Sequence, residues 1–134
     1  MDQRPLVEMQ IAEGRHLLDR LAGEGVAVTA AGWVKESEGG PWFLYLVTPL
    51  VSEEGPKRPA YRRVNEVIRQ MPQFLWVHPM EIKVVGPDSS VGKAMRDLIK
   101  RYPGAPLIPY RDASLGGLSI EGAYIYPPSP APVG

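Results

Sequence analysis

Apolar residues near the start of the chain recur every three or four positions, which predicts an amphipathic helix from Pro5 to about Gly23. Pro5 suits the first helical position because its missing N–H would have no partner there in any case. Gly14 lies on the apolar stripe, where the absence of a side chain lets another element approach closely. The stripe consists of Val7, Ile11, Leu18 and Leu21.

Two long apolar segments with Gly39-Gly40 between them predict a β-hairpin, because glycine accepts the positive φ of a tight turn without strain. A two-residue turn there would place Trp33 opposite Leu46 and Trp42 opposite Ser37. In that register both faces of the hairpin are apolar. One face carries Trp33, Trp42 and Leu44, and the other carries Val34, Phe43, Tyr45 and Val47.

The remainder of the chain alternates between helical and extended patterns. A second amphipathic helix is predicted from Ala60 to Met71, and a third helix follows Asp88 or Ser89, either of which can cap its first turn. Pro109 cannot donate to a sheet ladder, so its segment belongs at a sheet edge. The extended segments are residues 74–77, 81–85, 107–110 and 118–126.

These elements predict a single α+β domain over residues 1–126, with the order α-β-β-α-β-α-β-β. Its antiparallel sheet of four to five strands would pack against three helices. Residues 127–134 are rich in proline, which predicts a disordered tail.

Composition then removes several classes of function. The chain of 134 residues contains no cysteine, which excludes disulfides, thiolate nucleophiles and cysteine-based metal clusters. Its 15 basic and 15 acidic residues balance, so we do not expect a nucleic-acid partner from net charge, although local basic clusters remain. We expect a cytoplasmic protein without membrane contact, because neither a secretion signal nor an apolar span is recognisable.

One set of residues could line a ligand pocket, but none forms a catalytic motif. His78 and Trp76 are close in sequence, and Lys93 and Arg111 are cationic residues that would converge with them on a small ligand. The sequence before Lys93 is similar in order to a phosphate-binding loop. It has one residue too many between its glycines, however, and Ala94 replaces the magnesium ligand. A looser anion site at the start of the third helix is an alternative. We predict no catalytic residue, metal or cofactor.

Basic residues cluster on two of the predicted helices. If these helices packed side by side, their outer faces would merge into a surface for phosphate or RNA. The clusters consist of Lys57, Arg58, Arg62, Arg63 and Arg69, and of Lys93, Arg96, Lys100 and Arg101.

The hairpin favours a different function. Three helices can cover one face of a modest sheet, and a hairpin that is apolar on both faces then needs another molecule to cover the second. We therefore interpret the chain as a non-enzymatic binding or protein-interaction module that self-associates as a homo-oligomer. A ligand pocket or enzyme site around His78, and phosphate or nucleic-acid binding by the basic helices, are the alternatives. The interface would contain Trp33, Trp42, Phe43, Tyr45 and Val47.

The run from Trp42 to Val51, followed by Gly55-Pro56 and Ala60-Tyr61-Arg62, resembles a motif of small uncharacterised bacterial proteins. The resemblance covers about the middle third of the chain. It implies a bacterial cytosolic protein, and it implies no activity.

Overall fold

The computed structural model describes residues 8–37, 40–51, 58–71, 77–101, 108–110 and 114–126. The helices are α1 (Glu8–Gly23), α2 (Arg58–Arg69) and α3 (Ser90–Arg101), and a 3-10 turn occupies Pro79–Glu81. The strands are β1 (Ala30–Lys35), β2 (Trp42–Val47), β3 (Ile82–Val85), β4 (Ile108–Tyr110), β5 (Ser114–Leu115), β6 (Leu118–Ser119) and β7 (Gly122–Ile125). The predicted α+β class and order of elements are confirmed, with the short β5–β6 hairpin inserted before the last strand.

Five strands form one sheet in the order β3-β2-β1-β7-β4, and β5 and β6 pair separately. Neighbouring strands of the larger sheet are antiparallel, except that β2 and β3 are parallel. The sheet is therefore mixed rather than wholly antiparallel. Parallel neighbours need a long crossover connection, and the segment that contains α2 provides it. The prediction that the Pro109 segment lies at an edge is confirmed by the position of β4.

The register of the β1–β2 hairpin differs from the predicted one by two residues. The observed pairs are Trp33 with Leu44 and Trp42 with Lys35, where Leu46 and Ser37 were expected. The N–H of Gly40 donates to the carbonyl of Ser37 at 3.0 Å, so the reversal is centred one residue earlier in the chain than Gly39-Gly40, and the register moves by two. Side chains alternate between the faces of a strand with a period of two, so a shift of two residues leaves every side chain on its predicted face.

Helices cover both faces of this sheet. The apolar residues of α1 and α2 form one hydrophobic core with the first face, and α3 with the β5–β6 hairpin forms a second core on the opposite face. The chain itself therefore covers both apolar faces of the hairpin. The first core contains Trp33, Leu44 and Leu46, and the second contains Val34, Tyr45 and Val47.

A buried hydrogen-bonded chain attaches α1 to the sheet. Trp33 Nε1 donates to Tyr126 Oη at 2.9 Å, and Tyr126 Oη donates to the carbonyl of Ile11 at 2.6 Å. Gly14 faces this chain, because a Cβ at that position would collide with the Tyr126 hydroxyl and lie 3.2 Å from Trp33 Nε1. The close approach predicted for Gly14 is confirmed.

Candidate functional site

The structure describes two of the four residues expected to line a ligand pocket, so their convergence stays a prediction. Trp76 and Arg111 lie outside the described residues. His78 follows Val77, which belongs to the core on the α1–α2 face of the sheet. Lys93 is exposed on α3, which packs on the opposite face. Val77 and α3 therefore lie on opposite faces of the sheet.

His78 has a local structural role in the 3-10 turn. Its Nδ1 accepts a hydrogen bond from the N–H of Met80 at 3.1 Å, and its own N–H donates to Glu81 Oε1 at 3.3 Å. These bonds close the turn on itself and leave the imidazole ring exposed. Throughout the described part of the chain, no group of three or more histidine, aspartate or glutamate side chains is placed to hold a metal ion.

The start of α3 offers little room for an anion. Ser89 is the helix cap, as predicted, because its Oγ accepts a hydrogen bond from the N–H of Gly92 at 3.0 Å. The N–H of Lys93 donates to the Ser89 carbonyl at 2.9 Å. The β5–β6 turn also packs closely against the start of α3, because a Cβ at Gly116 would collide with the carbonyl of Ser90. The first turn of the helix is therefore capped and covered by its own chain.

The side chains expected at a self-association surface are mostly core residues. Trp33 and Val47 are 0 % exposed and Tyr45 is 5 % exposed, whereas Trp42 and Phe43 are partly buried. The helices on either side of the sheet make the contacts that a second molecule was expected to make.

A closed polar cluster covers Phe43 on the α3 side of the sheet. Glu36 Oε2 accepts hydrogen bonds from Tyr45 Oη and, at 2.8 Å, from Lys83 Nζ. The Lys83 ammonium also stands 4.2 Å from the centre of the Phe43 ring, where a cation–π interaction is favourable. Burial, followed by the hydrogen bond to Glu36, raises the pKa of Tyr45, so the phenol remains a neutral donor. Because the polar groups of Glu36, Tyr45 and Lys83 are hydrogen-bonded to one another, we interpret the cluster as a cover over Phe43 and not as a ligand site.

The two basic helices lie on opposite faces of the sheet. α2 contributes to the first core and α3 to the second, so their outer surfaces point away from each other. The condition for one merged basic surface, that both helices pack on the same face, is therefore not met. Each helix must therefore be considered alone, and Lys57 lies outside the described residues.

The outer side of α2 carries a row of exposed arginines, here called the arginine face (Arg58, Arg62, Asn65 and Arg69). Intervals of four, three and four residues place these side chains on one side of a helix. All four residues are exposed. Across the part of the chain that the structure describes, no carboxylate lies within ion-pair distance of these three arginines.

Arg63, on the neighbouring side of the same helix, contrasts with them. Its Nη2 donates to the Glu24 carbonyl at 2.8 Å and lies 3.8 Å from Glu24 Oε1, while its Nη1 lies 3.4 Å from Glu66 Oε2. These contacts attach α2 to the end of α1. Arg63 therefore has a structural function that the arginine face lacks.

The arginine face borders an open groove of about 430 Å³, which Tyr61 and Glu66 also line. That volume falls within the range of small-ligand sites. The hydroxyl of Tyr61 accepts a hydrogen bond at 3.0 Å from the N–H of Val84, which belongs to the edge strand β3. The Tyr61 side chain is therefore anchored at its far end, and one outward N–H of the sheet edge is satisfied.

Sequence reasoning identified the arginines of α2 but missed Tyr61 and Asn65 as neighbours of the same groove. The signal was present in the spacing, because Tyr61 follows Arg58 by three residues and Asn65 follows Arg62 by three. The absence of pairing carboxylates had no such signal, since it depends on distant parts of the chain.

No protein-family model, curated protein or solved structure matches this chain. Among the described residues, no helix is both long enough and apolar enough to cross a membrane. The bacterial origin and cytosolic location implied by the resemblance stay predictions. The candidate site therefore rests on geometry and charge.

Proposed function

We propose that this chain is a non-enzymatic binding module that recognises an anionic ligand with the arginine face of α2. The observation that carries the proposal is the contrast between Arg63, which is paired on two sides, and the three arginines of that face, which have no carboxylate partner among the described residues. Guanidinium groups bind carboxylate or phosphate through two parallel hydrogen bonds. A ligand with several such groups would supply the partners that the described residues do not.

Two observations favour a helix surface over self-association through the hairpin. Both faces of the hairpin are covered by helices of the same chain, so neither core needs a second molecule to close it. The sheet edges are also poor templates for another strand, because Tyr61 occupies the N–H of Val84 on β3 and Pro109 on β4 has no N–H to offer. The polar surface of α2 is therefore the better candidate.

The test compares two double variants that remove the same charge from opposite faces of the sheet. Arg62→Gln/Arg69→Gln changes the arginine face, and Lys93→Gln/Lys100→Gln is the matched control on α3, where both lysines are exposed. Binding to a fluorescently labelled heparin oligosaccharide, a generic polyanion, would be measured by anisotropy. We expect the α2 variant to bind at least about tenfold more weakly, because each lost charge-assisted contact contributes about 1.5–3 kcal/mol.

The control variant should bind within about twofold of the wild type. Equal losses in the two variants would show that binding follows total charge, and no measurable binding by the wild type would show that the face is only a solvated surface. Either result would overturn the proposal.

A further inference from the structure

We infer that the anionic ligand of the arginine face is single-stranded nucleic acid, a step that rests on the proposed function. The arginine face is longer than one phosphate group. Arg58 and Arg69 are eleven residues apart, which corresponds to about 16 Å along a helix. One phosphate or one nucleotide would leave part of that row without a partner. The ligand therefore carries several anionic groups in succession.

The groove between these arginines combines several kinds of side-chain chemistry. Tyr61 supplies an aromatic ring, Asn65 an amide and Glu66 a carboxylate. Glu66, which pairs with Arg63, would repel the carboxylates of an acidic peptide and the phosphates of a strand alike, so its charge does not distinguish the two ligands. A peptide of acidic side chains, however, offers no aromatic side chain to Tyr61 and no side-chain donor to Glu66. Nucleobases, in contrast, present a flat face for stacking, acceptors for an amide N–H, and amino groups that donate to a carboxylate. The mixed lining fits bases with phosphates between them better than it fits a row of carboxylates.

The groove also fits a single strand better than a duplex. Tyr61 is half-buried against the first core and its hydroxyl is held by the N–H of Val84, so the part of the ring that lines the groove is positioned before any ligand arrives. An unpaired base can stack on such a ring, whereas the bases of a duplex are already stacked on one another. Zero net charge does not itself favour a nucleic acid, so binding would depend on the local charge of the arginine face.

The experiment measures anisotropy with three fluorescein-labelled probes: a 12-nucleotide single strand of mixed sequence, the duplex of that sequence, and a 12-residue polyglutamate peptide. We expect the single strand to bind at least about tenfold more tightly than the other two. Neutralising three phosphates of a single strand predicts a log–log salt slope of about −2, or roughly an 18-fold loss between 50 and 200 mM salt. In Arg62→Gln/Arg69→Gln the loss over the same range should fall to about threefold.

Two substitutions test the groove apart from its charge. Tyr61→Leu should weaken single-strand binding at least about fivefold and leave polyglutamate binding unchanged, whereas Tyr61→Phe should stay within about twofold of the wild type. Asn65→Ala, at an exposed position, should weaken single-strand binding alone, and it provides a groove variant if Tyr61→Leu fails to fold in a thermal unfolding assay.

The outcomes separate the inference from the proposed function. If heparin binding depends on the arginine face but polyglutamate binds as tightly as the single strand, or the groove variants affect both probes equally, the ligand is an acidic protein segment and the inference is wrong. Tighter binding of the duplex also contradicts it. If heparin binding does not depend on the arginine face, both proposals fall.

Discussion

Replacement of Gly14 by alanine tests the packing that holds α1 on the sheet. Alanine is normally the better helix residue by about 1 kcal/mol. At Gly14, however, the added Cβ would collide with the Tyr126 hydroxyl, which is buried and hydrogen-bonded to both Trp33 and Ile11. We therefore expect Gly14→Ala to destabilise the protein in spite of its helix propensity.

The expected size follows from two costs. Overpacking a closed core costs about 1–3 kcal/mol. Moving the Tyr126 hydroxyl away leaves the buried N–H of Trp33 without its acceptor, which costs about 1–3 kcal/mol. When the gain in helix propensity is subtracted from the sum of these two costs, the free energy of unfolding should fall by about 3 kcal/mol. Urea unfolding followed by tryptophan fluorescence measures this change and also reports on the surroundings of Trp33.

Two further variants identify the cause. Gly23→Ala, at the end of the same helix, meets nothing within 4 Å and should be neutral or slightly stabilising. In the double variant Gly14→Ala/Tyr126→Phe the colliding oxygen is absent, so the loss should be smaller than the sum of the single losses by at least about 1 kcal/mol. Wild-type stability in Gly14→Ala, or additive losses in the double variant, would refute the reasoning.

Two other predictions concern Tyr126 and the β5–β6 turn. Burial raises the pKa of Tyr126 to about 12, so the fold favours the neutral phenol. The resulting stabilisation is complete below pH 10 and is lost as the pH rises towards 12, by about 1.4 kcal/mol per pH unit. Urea unfolding at pH 9–11.5 should therefore show a shallower decline of the free energy of unfolding with pH in Tyr126→Phe than in the wild type. Gly116 and Gly117 both have positive φ, but only a Cβ at Gly116 would collide with Ser90. Thermal unfolding should therefore show a larger loss of stability for Gly116→Ala than for its neighbour's alanine variant, and equal losses would contradict the packing of this turn on α3.

Features that depend on a few neighbouring residues could be predicted from the sequence. The role of Gly14 followed from its place on an apolar stripe, and the cap at Ser89 followed from a hydroxyl residue just before a helical pattern. The faces of the hairpin followed from alternation, which survived the wrong register because the shift was an even number of residues. In each case the physical cause lies within one or two turns of chain.

Features that depend on distant residues could not be predicted in this way. Helical spacing places Arg63 beside the buried Ala60 and Val67, but its pairing with Glu24 joins residues 39 positions apart and has no local signal. Only the packing of α2 against α1 decides which arginine meets a partner. The candidate site consists of the arginines of α2 that this packing leaves without a partner among the described residues. It could therefore be identified only from the three-dimensional structure.

The packing of the sheet also explains why both faces of the hairpin are apolar. An antiparallel hairpin commonly has one wet face, so two apolar faces suggested a missing partner. β1 and β2 instead occupy inner positions of a five-stranded sheet, and α2, by linking β2 to a parallel β3, lets helices occupy both faces. Two apolar faces are what such inner strands require. The two apolar faces of the hairpin thus reflect helices packed on both faces of the sheet, and they do not indicate a partner. Function is better sought at polar groups that have no partner among the described residues.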